Sequence, residues 1–156
     1  MSIDTHMQLR TPLSAAQVRI ALVHDSELAD LRLVDYGERD GLVSDQVSLV
    51  VKPWEEDDHH LIDSGFETGD VTITLIPRRG PTTFEAEHRA LAAVLRRVPG
   101  DICAAQQDSA GPDLLRLGGV VYINPDWIGP EDLTDFGYVP ERLVVGIPAG
   151  LVEVAP

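Results

Sequence analysis

Two stretches of strict apolar alternation constrain this chain more than any other feature. Val47, Leu49 and Val51 recur at every second position across residues 46–52, and Val71, Ile73 and Leu75 do so between Thr72 and Thr74 across 70–77. A period of two puts successive side chains on opposite sides of an extended backbone, so each stretch reads as a strand with one apolar face. Pro53 closes the first, because proline cannot donate to a ladder. Residues 3–9 repeat the pattern, with Ile3, Thr5, Met7 and Leu9 on one side and Asp4, His6 and Gln8 on the other. Aromatic residues make up only 5% of the chain, so the core that these strands face is aliphatic.

The helical signals are of equal quality. Ser14 is a good N-cap with Gln17 three residues later, and Leu13 with Val18 forms a hydrophobic staple, after which Val18, Ala21 and Leu22 share a face. Thr82 and Glu85, after Pro81, make a second capping box. Phe84, His88, Leu91, Leu95 and Val98 then form one helical stripe, with Glu85 and Arg89 paired at i,i+4 outside it. Arg96 and Arg97 occupy the last turn, where the helix dipole favours positive charge, and Pro99-Gly100 ends the helix. Residues 102–106 and 143–147 are further strand candidates. Leu114 to Leu117 and Val120 to Ile123 flank Gly118-Gly119, a pair that supplies the positive φ angles of a two-residue hairpin turn. Residues 26–40 read as a helix extension or a loop, and 54–70 as a polar, acid-rich connection. The resulting order, β-α-β-β-α-β-β-β, predicts an α+β fold: a mostly antiparallel sheet with two helices packed on one face and the other face free to meet a partner. Residues 1–156 are expected to form a single domain, a length that buries a real core.

Charge limits what such a domain can bind. Asp and Glu number 26 against 12 Lys and Arg, a net charge of −14, and Lys52 is the only lysine. Phosphate binding needs clustered cations, so nucleic acid is not an expected partner. A basic protein is the natural complement, and solubility alone is the simpler explanation of the imbalance. Cys103 stands alone, which excludes an intramolecular disulfide and a multi-thiolate zinc site. No signal peptide and no apolar run of membrane-spanning length is visible, so the expected setting is the cytoplasm, with no membrane partner.

The densest chemical cluster is Trp54-Glu55-Glu56-Asp57-Asp58-His59-His60, followed by Asp63. As a binding loop, it offers an aromatic anchor flanked by carboxylates that steer an electropositive partner. As a metal site or the centre of a small enzyme it would use His59 and His60, but these point apart if extended and lack helical ligand spacing, so no metal or cofactor is expected. A second stretch repeats the combination: Asp126-Trp127, Glu131, Asp132 and Asp135. The expected partner-binding residues are therefore Trp54, Glu55, Glu56, Asp57 and Asp58 together with Asp126, Trp127, Glu131, Asp132 and Asp135. Either tryptophan could instead be a core lid beneath a loop. No catalytic set is evident. His88 lies on an apolar helix stripe, His24 has Asp25 beside it but no nucleophile, Cys103 sits among apolar residues, and Gly118-Gly119 lacks the lysine and following helix of a phosphate loop.

Three stretches carry a family resemblance. They are Gly65-Phe66 leading into Val71-Thr72-Ile73-Thr74-Leu75, then Leu91 to Asp101 with its Arg97-Val98-Pro99-Gly100-Asp101 turn, then Leu114-Leu115-Arg116-Leu117-Gly118-Gly119 before an apolar strand and Asn124. In this order they resemble the Sit-type immunity proteins of bacterial polymorphic toxin systems, which act in kin discrimination. The resemblance spans roughly residues 65–124. It implies a cytoplasmic protein that binds and neutralises a cognate toxin domain without catalysis. A small metal-binding protein or enzyme, and an assembly chaperone or structural subunit, are the alternative function classes. Oligomeric state is left open, because a sheet edge can pair or be capped.

Overall fold

The computed structural model of the chain describes residues 3–25, 34–35, 41–44, 46–78 and 83–148. Among them nine strands form one sheet: β1 (Thr5–Arg10), β2 (Val34–Asp35), β3 (Gly41–Val43), β4 (Val47–Pro53), β5 (Val71–Pro77), β6 (Asp101–Gln106), β7 (Leu114–Leu117), β8 (Val120–Ile123) and β9 (Arg142–Val145). The strand order is β2-β3-β4-β5-β1-β6-β7-β8-β9. Every neighbouring pair is antiparallel except β8 with β9. The helices among the described residues are α1 (Ala15–Val23), α2 (Thr83–Arg97) and α3 (Pro130–Asp135), with one 3-10 turn at Glu56–His60. The α+β architecture follows the sequence pattern. The third helix and the strands β2 and β3 do not: α3 spans fewer than two turns, and β2 and β3 are too short to show a period.

The first strand lies at the centre. Met7 is opposite Ile73 on one side and Ala104 on the other. With Leu9, Leu49, Val51, Leu75, Ile102, Leu114 and Val121, these residues build an aliphatic face with no exposed surface. Onto it pack Val18 and Leu22 of α1, Leu91, Val94, Leu95 and Val98 on the α2 side, and Leu133 of α3. The Ser14 capping box forms as expected, with Gln17 N–H donating to Ser14 Oγ and Ser14 N–H donating to Gln17 Oε1. Thr82 and Pro81 lie outside the described residues. Gly118 and Gly119 take φ of 55° and 84°, the paired left-handed conformation of a type I′ hairpin turn.

The expectation of a free second face is corrected. Residues 54–70 are not a solvated connection; they fold back over the sheet. Ile62 and Phe66 are buried there against Cys103, Ala105 and Leu115, with Leu61, Leu117, Tyr122 and Ile147 half-buried around them. Apolar side chains at 61, 62 and 66, diluted among carboxylates, supply enough surface to cover the β1-β6-β7 region.

The C-terminal end of α2 carries a second departure. Arg96 and Arg97 do not simply face the helix dipole. Both grip Asp25, which is fully buried just beyond α1: Arg96 Nη2 and Arg97 Nε each approach its carboxylate at 2.7 Å. Arg96 also donates from Nη1 to the Phe136 carbonyl at 2.8 Å, tying α3 to the same point. A buried carboxylate is tolerated only when charged and hydrogen-bonded partners replace water. Replacing Asp25 by Ala leaves two guanidiniums that can still reach solvent, so the expected cost is about 2 kcal/mol, read as a lowered urea midpoint with unchanged slope. An unchanged midpoint would show that the three helices are held without this cluster.

Candidate functional site

The cover over the second face is built around one polar side chain of β1. Gln8 is fully buried, and its amide donates from Nε2 to the Asp58 carbonyl at 2.9 Å while Oε1 accepts the Phe66 N–H at 2.8 Å. Both halves of the amide are used, so the covering segment is fixed to the sheet at two points eight residues apart. The approach is close: a Cβ on Gly65 would sit 2.4 Å from Gln8 Oε1. Further ties are made at the margins. Trp54 N–H donates to the Asp70 carbonyl, Asp70 N–H to the Leu9 carbonyl, and Thr11 N–H to the Asp70 carboxylate. Arg10 lies over the Phe66 ring at 4.1 Å and donates to the Thr68 carbonyl.

The 3-10 turn places the acidic residues unequally. Asp58, one of the expected contact residues, is only 6% exposed. Its Oδ2 accepts the Glu55 N–H at 2.6 Å and its Oδ1 lies 3.6 Å from Lys52 Nζ. It is a cap for the turn and is removed from the contact surface. Glu55, Glu56 and Asp57 are exposed, as are Asp63, Glu67 and Asp70. Trp54 is half-buried, its ring lying against Gly69, where an added Cβ would stand 2.7 Å from Trp54 Cε3. The segment 54–70 thus presents carboxylates from a rigid backbone, and it contains no lysine or arginine.

His59 and His60 are not extended. In the 3-10 turn their rings lie against each other, tilted by 42° with 3.6 Å between centroids, and His59 Nδ1 lies 2.8 Å from the Glu56 carbonyl. Together with Arg10, Asp63 and Phe66 they border an open cavity of about 410 Å³. Among the described residues no group of three or more His, Cys, Asp or Glu side chains is arranged to hold a metal ion. Cys103 is buried, which pushes its thiol up to about 12, so it stays protonated and non-nucleophilic at neutral pH.

The second acidic stretch lies elsewhere. Trp127, offered as an exposed anchor, is the core lid: it is 6% exposed, packs in the helix-side core, and meets the His88 ring edge-on at 6.1 Å. Asp132 is half-buried and accepts the Gly129 N–H at the start of α3. Asp126, Glu131 and Asp135 remain exposed. Because Trp127 and Leu133 pack on the helix side while Ile62 and Phe66 pack on the opposite side, the two stretches occupy opposite faces of the sheet. They do not form one surface.

The helix side holds its own titrating pair. Burial raises the Glu87 carboxyl above its usual range, only partly offset by the hydrogen bond from Thr5 Oγ1, and burial lowers His88, against a smaller upward pull from Asp132. Both are buried on the helix side, Glu87 against the Thr5 hydroxyl and His88 against Trp127.

The residues that carry the family resemblance are mechanical. Arg116, buried on β7, donates to the carbonyls of Leu95, Val98 and Gly100. Asp101 Oδ1 in turn accepts the Gly118 N–H at 3.1 Å. The helix-ending turn and the hairpin are therefore one unit, with Arg116 bonding the Leu95 carbonyl of the last turn of α2 and the Val98 and Gly100 carbonyls just beyond it.

No protein-family model matches the chain, no curated protein matches its sequence, and no solved structure matches its fold. No helix among the described residues is long and apolar enough to cross a membrane.

Two outcomes are expected. Asp58→Ala removes the cap and costs about 1–3 kcal/mol, whereas Asp57→Ala, exposed and next to it, changes the urea midpoint little. Equal midpoints for the two variants would mean that Asp58 does not hold the turn. For the helix-side pair, a carboxyl raised above 4.5 binds more protons folded than unfolded, so its contribution is lost as pH rises through that window. A lowered His88 binds fewer protons folded than unfolded, so its contribution is lost as pH falls below 6.5. Glu87→Gln is expected to stabilise the protein at pH 7 and to leave a steeper loss of stability on acidification. A stability profile identical to wild type from pH 4.5 to 7 would refute the assignment.

Proposed function

We propose that the chain is an immunity protein that neutralises a basic toxin domain by non-covalent binding in the cytoplasm, with the cover of the second sheet face as its contact surface. The observation that carries this reading is the pinned acidic cover. Glu55, Glu56, Asp57, Asp63 and Glu67 are exposed on a segment fixed by Gln8, Ile62 and Phe66, so binding orders little backbone. Carboxylates held in this way accelerate encounter with a cationic surface and make association strongly salt-dependent. Half-buried Leu61, Leu117, Tyr122 and Ile147 adjoin them and supply the apolar contact that charge alone does not. The resemblance of residues 65–124 to Sit-type immunity proteins points the same way. Since the two acidic stretches face opposite directions, a partner seated on the cover leaves Asp126, Glu131 and Asp135 outside its footprint.

The test is survival of bacteria expressing the toxin-like domain encoded beside this gene, with and without the protein. Rescue is expected, together with direct binding that weakens as salt rises. Glu55→Lys, Glu56→Lys and Asp57→Lys combined, with Asp58 kept, are expected to abolish rescue and weaken binding at least about 100-fold while the urea midpoint holds. Rescue that survives the triple reversal would move the interface off the cover, and failure of the folded wild type to rescue would end the proposed pairing.

A further inference from the structure

The last strand of the sheet is built unlike the rest of the surface. β9 pairs with β8 on one side only; among the described residues nothing pairs with its outer edge. Its sequence, Arg142-Leu143-Val144-Val145, is apolar on both faces, since Leu143 and Val145 lie on the helix side with Val121 and Ile123, and Val144 lies opposite them beside Tyr122. Val145 is 56% exposed and Val139, just before the strand, is 76% exposed, two of the four large apolar side chains left open to solvent among the described residues. The strand is held firmly enough to act as a template: Gly146 N–H donates to the Ile123 carbonyl at 2.7 Å, and Ile147 tucks into the second-face cluster.

Exposed edges of this kind are normally blunted by charge, proline or a bulge, because their free N–H and C=O groups recruit another strand. Here the charges, Glu141 and Arg142, stand at the start of the strand and Pro148 after its end, while residues 143–147 carry no charge and no proline, in a chain with a net charge of −14. That charge decides the occupant. A cationic partner is drawn to the carboxylates of the cover and gains nothing at Arg142. Two copies of this chain repel each other through their net charge, and residues 143–147 add no carboxylate to that repulsion.

We infer that β9 is a self-association edge, pairing antiparallel with β9 of a second copy about a two-fold axis normal to the sheet. With the axis at Val144, Leu143 stands opposite Val145 of the second copy, both on the helix side, and Arg142 stands opposite its Gly146. Like faces then stay continuous across the junction, and the two Arg142 side chains are kept apart. The paired strands are short, so the dimer is weak and concentration-dependent.

The test is sedimentation of the full chain over a range of protein concentrations at low and high salt. A mass approaching two chains at high concentration is expected, with the dimer fraction increasing as salt screens the self-repulsion; this is opposite in sign to the salt response of the cover with a basic partner. Val145→Lys is expected to restore the monomer. That substitution lowers the net negative charge, so a general charge effect would instead strengthen association. Circular dichroism and an unchanged urea midpoint would show that the variant is folded. A wild type that stays monomeric overturns the inference, as does a dimer that Val145→Lys leaves intact. A chain ending at Pro148 that dimerises when the full chain does not overturns it too, since residues 149–156 would then hold the edge.

Discussion

The structure depends on a buried amide at the middle of the sheet. Once β1 takes the central position, both of its faces must be dry or satisfied, because β5 and β6 flank it and helices close the aliphatic side. Gln8 points to the other side with no exposed surface, and an unsatisfied amide there would cost several kcal/mol, about the stability margin of a small domain. Only a segment returning across the sheet with one free carbonyl and one free N–H at the right separation removes that cost. Asp58 and Phe66 provide them. The acidic cover, its 3-10 turn and the outward aim of Glu55, Glu56 and Asp57 all follow from satisfying this one side chain.

A similar competition is resolved at the end of α2. Helix-dipole complementarity for Arg96 and Arg97 is worth a few tenths of a kcal/mol at an exposed terminus. A fully buried Asp25 between them demands far more, and both guanidiniums turn to it. The helix end is then met from elsewhere, by Arg116 of the hairpin, whose donors reach the Leu95 carbonyl and two carbonyls of the turn that follows. With two arginines serving a carboxylate, the third holds the turn and the hairpin close in space although Arg116 lies sixteen positions after Gly100.

Period-two and helical stripes were legible because they are local and long. The strands at 47–53 and 71–77, the α2 stripe, the Ser14 cap and the Gly118-Gly119 hairpin each occupy the residues that their pattern marks. What the sequence hid was whatever depends on a partner far along the chain. Gln8 reads as a polar outward residue until residues 58 and 66 come to it, and Ile62 and Phe66 are too widely spaced to announce a covering layer. Trp127 looks like an exposed anchor because the acids beside it, Asp126 and Glu131, are exposed; its own environment is set by His88, some forty residues earlier. In the candidate site the identity of the acidic segment was legible, whereas the division between presenting carboxylates and the structural Asp58 required the fold.

Charge distribution joins these observations. An acidic protein that must remain monomeric needs no special device at its sheet edges if carboxylates are spread evenly over them. This one presents carboxylates on a cover pinned to the second face and on the loop and helix at 126–135, and omits them from the strand β9. Within β9 itself the only charge is Arg142, with exposed Glu141 just before it, and Val139 and Val145 face solvent on either side. A surface arranged in this way offers cationic partners the acidic cover and uncharged strands one edge, and the two responses to salt run in opposite directions. Screening weakens the first, because attraction is what assembles it. Screening strengthens the second, because long-range repulsion is what opposes it.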